Sequence, residues 1–85
     1  RQSLGMLYCG KEDGDGTEGE KFLYVGCNFH MGPTRLALPK LPGKKKWYLL
    51  MDTARERAPF LKEEERVDAP RIELCGQSVV ILTGK

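Results

Sequence analysis

KFLYVGCNFH (21–30), MGPTRLALPKLPGKKK (31–46) and WYLLMDT (47–53) follow one another through the middle of the chain. They contain three apolar runs of strand length, separated by proline and glycine. In the first run Leu23, Val25, Cys27 and Phe29 fall on one face, and Phe22, Tyr24, Gly26 and Asn28 on the other, because side chains alternate along a strand. Both faces are largely apolar or aromatic, the pattern of a central strand. Gly26 there permits a bulge or the close approach of a neighbour. Residues 30–33 make a turn, and 34–38 set Leu36 and Leu38 against Arg35 and Ala37, as in a half-buried strand. Pro39, Pro42 and Gly43 end that strand, since proline cannot donate to a ladder and glycine accepts the positive φ of a tight turn. Lys44, Lys45 and Lys46 therefore sit at the tip of a connection. In the third run Trp47, Leu49 and Met51 share one face, with Tyr48 and Leu50 on the other.

The flanks extend this pattern. SLGMLYC (3–9) reads as a first strand. Residues 10–20 hold four glycines and five acids. Glycine loses the most entropy on ordering and the acids repel one another, so a flexible hairpin loop is expected. Residues 54–69 are charged and broken by Pro59, and Phe60, Leu61 and Val67 are their only sizeable apolar side chains. They read as a long connection with at most one helical turn, around 61–66. Residues 71–75 alternate Ile72 and Leu74 with Arg71 and Glu73; Gly76-Gln77 turns the chain, and 78–83 form a continuous apolar strand. About six strands and no helix give an all-β fold, a small antiparallel β-sandwich, with a small barrel as the other closure. The expected core is Leu23, Val25, Cys27, Leu36, Leu38, Trp47, Leu49, Val80 and Leu82.

The chain of 85 residues makes a single domain, 1–85. It opens on Arg1 rather than Met and reads as a fragment of a longer protein. A domain this small buries roughly 60–65% of its unfolded surface, and its stability should be about 4–13 kcal/mol. The net charge of +2 implies neither a nucleic-acid nor a membrane partner. The longest apolar runs fall far short of the ~18 residues that cross a bilayer as a helix. Cys9, Cys27 and Cys75 lie in or beside apolar runs without the close spacing of a zinc site. They read as buried free thiols of a reducing, cytoplasmic compartment, and one disulfide with a thiol left over is the alternative.

Catalytic constellations are thin. His30 is the one histidine and lies beside a turn, where such a residue is more often structural. Asp13 with Asp15, and Glu63 with Glu64 and Glu65, are paired acids in polar stretches. General acid catalysis needs a carboxyl held in an apolar pocket. EDGDG (12–16) is similar to a calcium loop, but an EF-hand needs flanking helices and the flanks here read as strands. Gly43 and Lys44 lack the earlier glycine and following hydroxyl of a phosphate loop, where Leu38 and Lys45 stand. An OB-type nucleic-acid face would spread its lysines along a groove, not gather them at a hairpin tip. No catalytic, cofactor-binding or metal-binding residue is assigned.

Read in order, KFLYVGCN (21–28), TRLALP (34–39), WYLLMDT (47–53) and SVVILTGK (78–85) resemble the C-terminal β-sandwich of family 13, α-amylase-type glycoside hydrolases, nearest to bacterial glycogen-debranching and pullulanase-type enzymes. The resemblance runs from about Leu4 to Gly84. It is sharpest at Asn28 ending a strand, His30 two positions on, Leu38-Pro39, and Trp47 followed by Asp52-Thr53. SLGMLYCG (3–10) is similar to the first strand of that domain in anaerobic gut-type homologues. The chain departs from the family at Met31-Gly32, where a Trp and an acid are common, and at Cys75 to Ser78, where a Pro-Arg pair is common. The resemblance implies a non-catalytic domain that packs on the catalytic (β/α)₈ barrel of the same parent and stabilises it. The catalytic carboxylates of the family belong to that barrel, so none is carried over. The alternative is a carbohydrate-binding module touching α-glucan through exposed aromatics, with Tyr24, His30 and Tyr48 as contacts.

Overall fold

The structure is a computed structural model that describes residues 3–11, 20–55 and 59–85. Among them the chain forms seven strands and no helix: β1 (Ser3–Lys11), β2 (Glu20–Asn28), β3 (Thr34–Ala37), β4 (Trp47–Asp52), β5 (Phe60–Val67), β6 (Arg71–Leu74) and β7 (Ser78–Gly84). The fold is a small antiparallel β-sandwich. Its large layer is a five-stranded sheet in the order β1-β2-β7-β4-β5, and its small layer is the β3-β6 ribbon. The expected loop around the EDGDG acids lies outside the described residues.

Residues 60–67 are strand β5 at an edge of the large sheet, not part of a connection with a helical turn. Leu61 and Val67 pack against the core, but charged residues fill the positions between them, so the strand has no strict two-residue alternation. It pairs with β4 through Trp47↔Val67, Tyr48↔Arg66 and Leu49↔Glu65, then shifts register before Met51↔Phe60.

The core lies between the layers. Tyr24, Trp47, Leu49, Leu74, Val80 and Leu82 are buried, with Leu36, Leu38, Leu41 and Ile72 packed against them. The Trp47 indole donates from Nε1 to the Pro39 carbonyl at 2.9 Å, and its ring meets Tyr24 edge-on at 6.0 Å between centroids. A buried tryptophan N–H needs such a partner. Burial pushes the Tyr24 hydroxyl above its ordinary pKa. Gly26 brings the layers close. A Cβ there would lie 3.1 Å from Leu36 Cδ1 and 3.3 Å from Val80 Cγ2.

Strand β2 is therefore turned over relative to expectation. Tyr24, Gly26 and Asn28 point inward and are buried; Leu23, Val25 and Cys27 are half-buried on the other face. The missing side chain of Gly26, which pairs with Gly5, leaves the room that Leu36 and Leu74 of the small layer fill. Leu36 and Leu38 are half-buried rather than fully enclosed. The three cysteines are free thiols, but Cys9 and Cys75 are exposed and Cys27 is intermediate, not buried. Cys9 lies near the end of an edge strand, and Cys75 lies in the turn between β6 and β7.

Asn28 is the polar centre of one end. Its Nδ2 donates to the carbonyls of Gly32 and Cys75 at 2.9 Å each, with Leu74 O at 3.4 Å. Its Oδ1 accepts from His30 N at 3.0 Å. Gln77 N donates to His30 O at 2.9 Å, and Ser78 Oγ to Cys75 O at 2.7 Å. One buried amide thus fastens the 29–33 turn to the 75–77 turn.

Candidate functional site

The outward face of the five-stranded sheet carries apolar side chains that lie outside the core. On β7, Ser78, Val80, Leu82 and Gly84 are buried on the inward side, while Val79, Ile81 and Thr83 between them are half-exposed on the opposite side. Pairing extends this face sideways. One row runs Tyr8–Leu23–Thr83–Tyr48–Arg66 across all five strands. A second runs Met6–Val25–Ile81 and a third Leu4–Cys27–Val79. No strand of the sandwich covers these rows. Leu4 and Tyr8 are 46% and 53% exposed.

Polar chemistry on this face is confined to one end. Glu64 Oε1 lies 2.7 Å from Lys85 Nζ, and Thr83 Oγ1 lies 3.4 Å from Glu64 Oε2. The same ammonium sits 5.7 Å from the Tyr48 ring centroid, a cation–π distance. A cleft of about 450 Å³ opens beside this group between Tyr8, Phe22, Leu23 and Gly84. Among the described residues Glu64 is the one carboxylate that lines it, and it is ion-paired with Lys85.

The expected sugar contacts do not converge. Tyr24 is corrected outright: it is 5% exposed and its ring belongs to the core. Tyr48 is half-buried on the outward face, under Lys85. His30 is exposed, but it lies beyond Asn28 at the far end of β2. The row through Leu23 and the position of Asn28 are five residues apart, about 17 Å along the strand. Cys27 and His30 form no reactive pair, since Cys27 belongs to the outward face and His30 to the turn.

The remaining charges are solvated. Arg55 makes a bidentate contact with Glu65 at 3.0 and 3.1 Å, which raises the guanidinium and lowers the carboxyl from their ordinary values. Arg66 is raised in the same way by its bond to Asp68. Glu63, Glu64 and Glu65 are consecutive on a strand and so alternate in direction. Asp13 and Asp15 lie outside the described residues. Among the described residues no three His, Cys, Asp or Glu side chains are grouped to hold a metal ion, and no helix is long and apolar enough to cross a membrane.

Of this face, Leu23, Val25 and Cys27 were expected in the core, whereas Val79 and Ile81 were not, and Tyr48 was expected to be exposed. What could have placed Leu23, Val25 and Cys27 outside is that β2, β4 and β7 are apolar on both faces, while the short strands β3 and β6 can cover only one. Comparison of the chain with protein families, characterised proteins and solved structures finds no match. The arrangement offers packing area and little reactive chemistry.

Proposed function

We propose that this chain is the non-catalytic C-terminal β-sandwich domain of a glycogen-debranching or pullulanase-type α-glucan hydrolase, and that it packs on the catalytic barrel of its parent and stabilises it. The observation that carries the reading is the outward sheet face, with three cross-strand rows of Leu, Met, Tyr, Val, Ile and Cys side chains left open to water. A contiguous apolar surface of this kind marks an interaction site. Its chemistry suits a large apolar neighbour better than a small substrate. The kind of parent is suggested by the sequence correspondences at 21–28, 34–39, 47–53 and 78–85.

Retaining glycosidases need two carboxyl groups about 5–5.5 Å apart across the scissile bond. The ion-paired Glu64 and Glu65 make no such pair, so the chain alone should leave pullulan, glycogen and starch intact. Turnover of any of them would overturn the reading. In the parent, Ile81→Lys should lower the melting temperature and soluble yield while kcat on short glucans stays near wild type. A parent that keeps its stability on deletion of the domain but loses glucan binding would instead make it a carbohydrate-binding module.

A further inference from the structure

Among the described residues strand β1 has one neighbour, β2, and so forms an edge of the large sheet. Its sequence is that of an interior strand. Residues 3–10 contain no charge and no proline, and the ladder to β2 runs from Ser3↔Asn28 to Lys11↔Glu20 without a bulge. Apolar side chains leave it on both faces. Tyr8 and Met6 stand together on the outward side, with Oη and Sδ 3.6 Å apart. Leu7 points to the inward side and is 48% exposed there, outside the cluster that forms the core.

The opposite edge differs in each respect. Strand β5 carries Lys62, Glu63, Glu64, Glu65 and Arg66, and its ladder shifts register. Charges and irregularities are how an edge strand is kept from pairing with another chain. One edge of this sheet has those features and the other lacks them.

We propose that β1 pairs antiparallel with β1 of a second copy, about a two-fold axis near Leu7, to join two five-stranded sheets into one of ten. Charge placement selects this arrangement. The single formal charge of the strand is Lys11, at its end. The antiparallel register about Leu7 sets Lys11 opposite the second copy's Ser3 and keeps the two lysines at opposite ends. A parallel pair would place them side by side, which is destabilising. The same register sets Leu4 opposite the second copy's Gly10 and Met6 opposite its Tyr8. The outward rows therefore remain outward and continue from one copy to the next.

The nine residues of β1 present an edge about 30 Å long. A strip of that length and roughly 15 Å deep covers about 450 Å² per copy, about 900 Å² in total, which is below the range of stable specific interfaces and suits a weak, reversible pair. The dimer should accordingly dissociate in the micromolar range. Because the contact is isologous and consumes the unprotected edge, assembly closes at two copies. The inference rests on β1 and is independent of the glucan-hydrolase reading.

Sedimentation equilibrium of the chain from about 1 to about 200 μM spans the corresponding dissociation constants. The expected result is a mass that rises from monomer to dimer, with Leu7→Lys monomeric throughout and unchanged in far-UV circular dichroism. A wild-type chain that stays monomeric, assembles beyond two, or dimerises equally well as Leu7→Lys overturns the proposal. Should that variant fail to fold, amide exchange on the wild type reads the same contact. Protection of β1 amides that grows with protein concentration supports it, and protection independent of concentration overturns it.

Discussion

Asn28→Ala should be among the most damaging polar substitutions in this chain. The side chain is 1% exposed. Its amide makes two short bonds, to Gly32 O and Cys75 O, and its Oδ1 takes a third from His30 N. At about 1 kcal/mol net for each bond, with some further cost for carbonyls left half-buried and unpaired, the loss should be about 3–4 kcal/mol. That is a large part of a stability of about 4–13 kcal/mol. Urea unfolding followed by tryptophan fluorescence measures it, since Trp47 reports on the core. Asn28→Asp sharpens the test. It puts a carboxylate oxygen where Nδ2 faced three carbonyl oxygens, so the folded state holds the carboxyl protonated to a higher pH than the unfolded chain does. Native protein then binds the extra proton, and stability falls as pH rises above the unfolded pKa of about 3.9. The deficit of Asn28→Asp relative to wild type should thus be larger at pH 7 than at pH 3. An alanine variant within 1 kcal/mol of wild type, or a deficit that grows toward acid, would refute the claim that this amide holds the two turns together.

Trp47→Ala should cost roughly 3–5 kcal/mol, and Trp47→Phe roughly 1–2 kcal/mol because the bond to Pro39 is lost while most packing stays; a wild-type melt for the alanine variant would put the indole outside the core. Gly26→Ala should cost about 1–3 kcal/mol by wedging Leu36 and Val80 apart, and an unchanged urea midpoint would show that the layers do not meet there. A thiol reagent added to native protein should modify Cys9 and Cys75 quickly and Cys27 slowly. A gain of two hydrogens in mass on reduction would reveal a disulfide and contradict three free thiols.

Much of the architecture was legible in the residues because its signals are local. The alternation in 34–37, the breakers Pro39, Pro42 and Gly43, and the apolar run 78–83 each reflect a short-range rule. Gly43 indeed adopts φ 63° in the turn before β4. Two matters were not local. Strand β5 is identified by its ladder to β4 and not by its own side chains, since only Leu61 and Val67 of it are packed against the core and the charged run between them hides the alternation. The inward face of β2 was undecidable from 21–29, where Tyr24 and Leu23 are both plausible core residues. The choice is made by β3 and β6, which settle over Gly26, and that depends on residues far along the chain. The same uncertainty concealed the candidate interface, because an apolar side chain covered by another body is indistinguishable in sequence from one covered by its own.

The strand order also has a consequence for how the molecule comes together. The β1-β2 and β4-β5 hairpins are each made of neighbours in sequence, yet no ladder joins one to the other; β7, the last strand in chain order, lies between them and pairs with both β2 and β4. Each hairpin can form early and locally, but neither gains the central sheet until the chain beyond β6 has arrived. Folding must wait for the longest loop closures in the molecule, which makes it slow for its size. During synthesis the hairpins would expose their apolar faces until β7 is inserted between them. Loss of a few residues from β7 would therefore do more than fray a terminus: it would leave two separate hairpins with no common sheet.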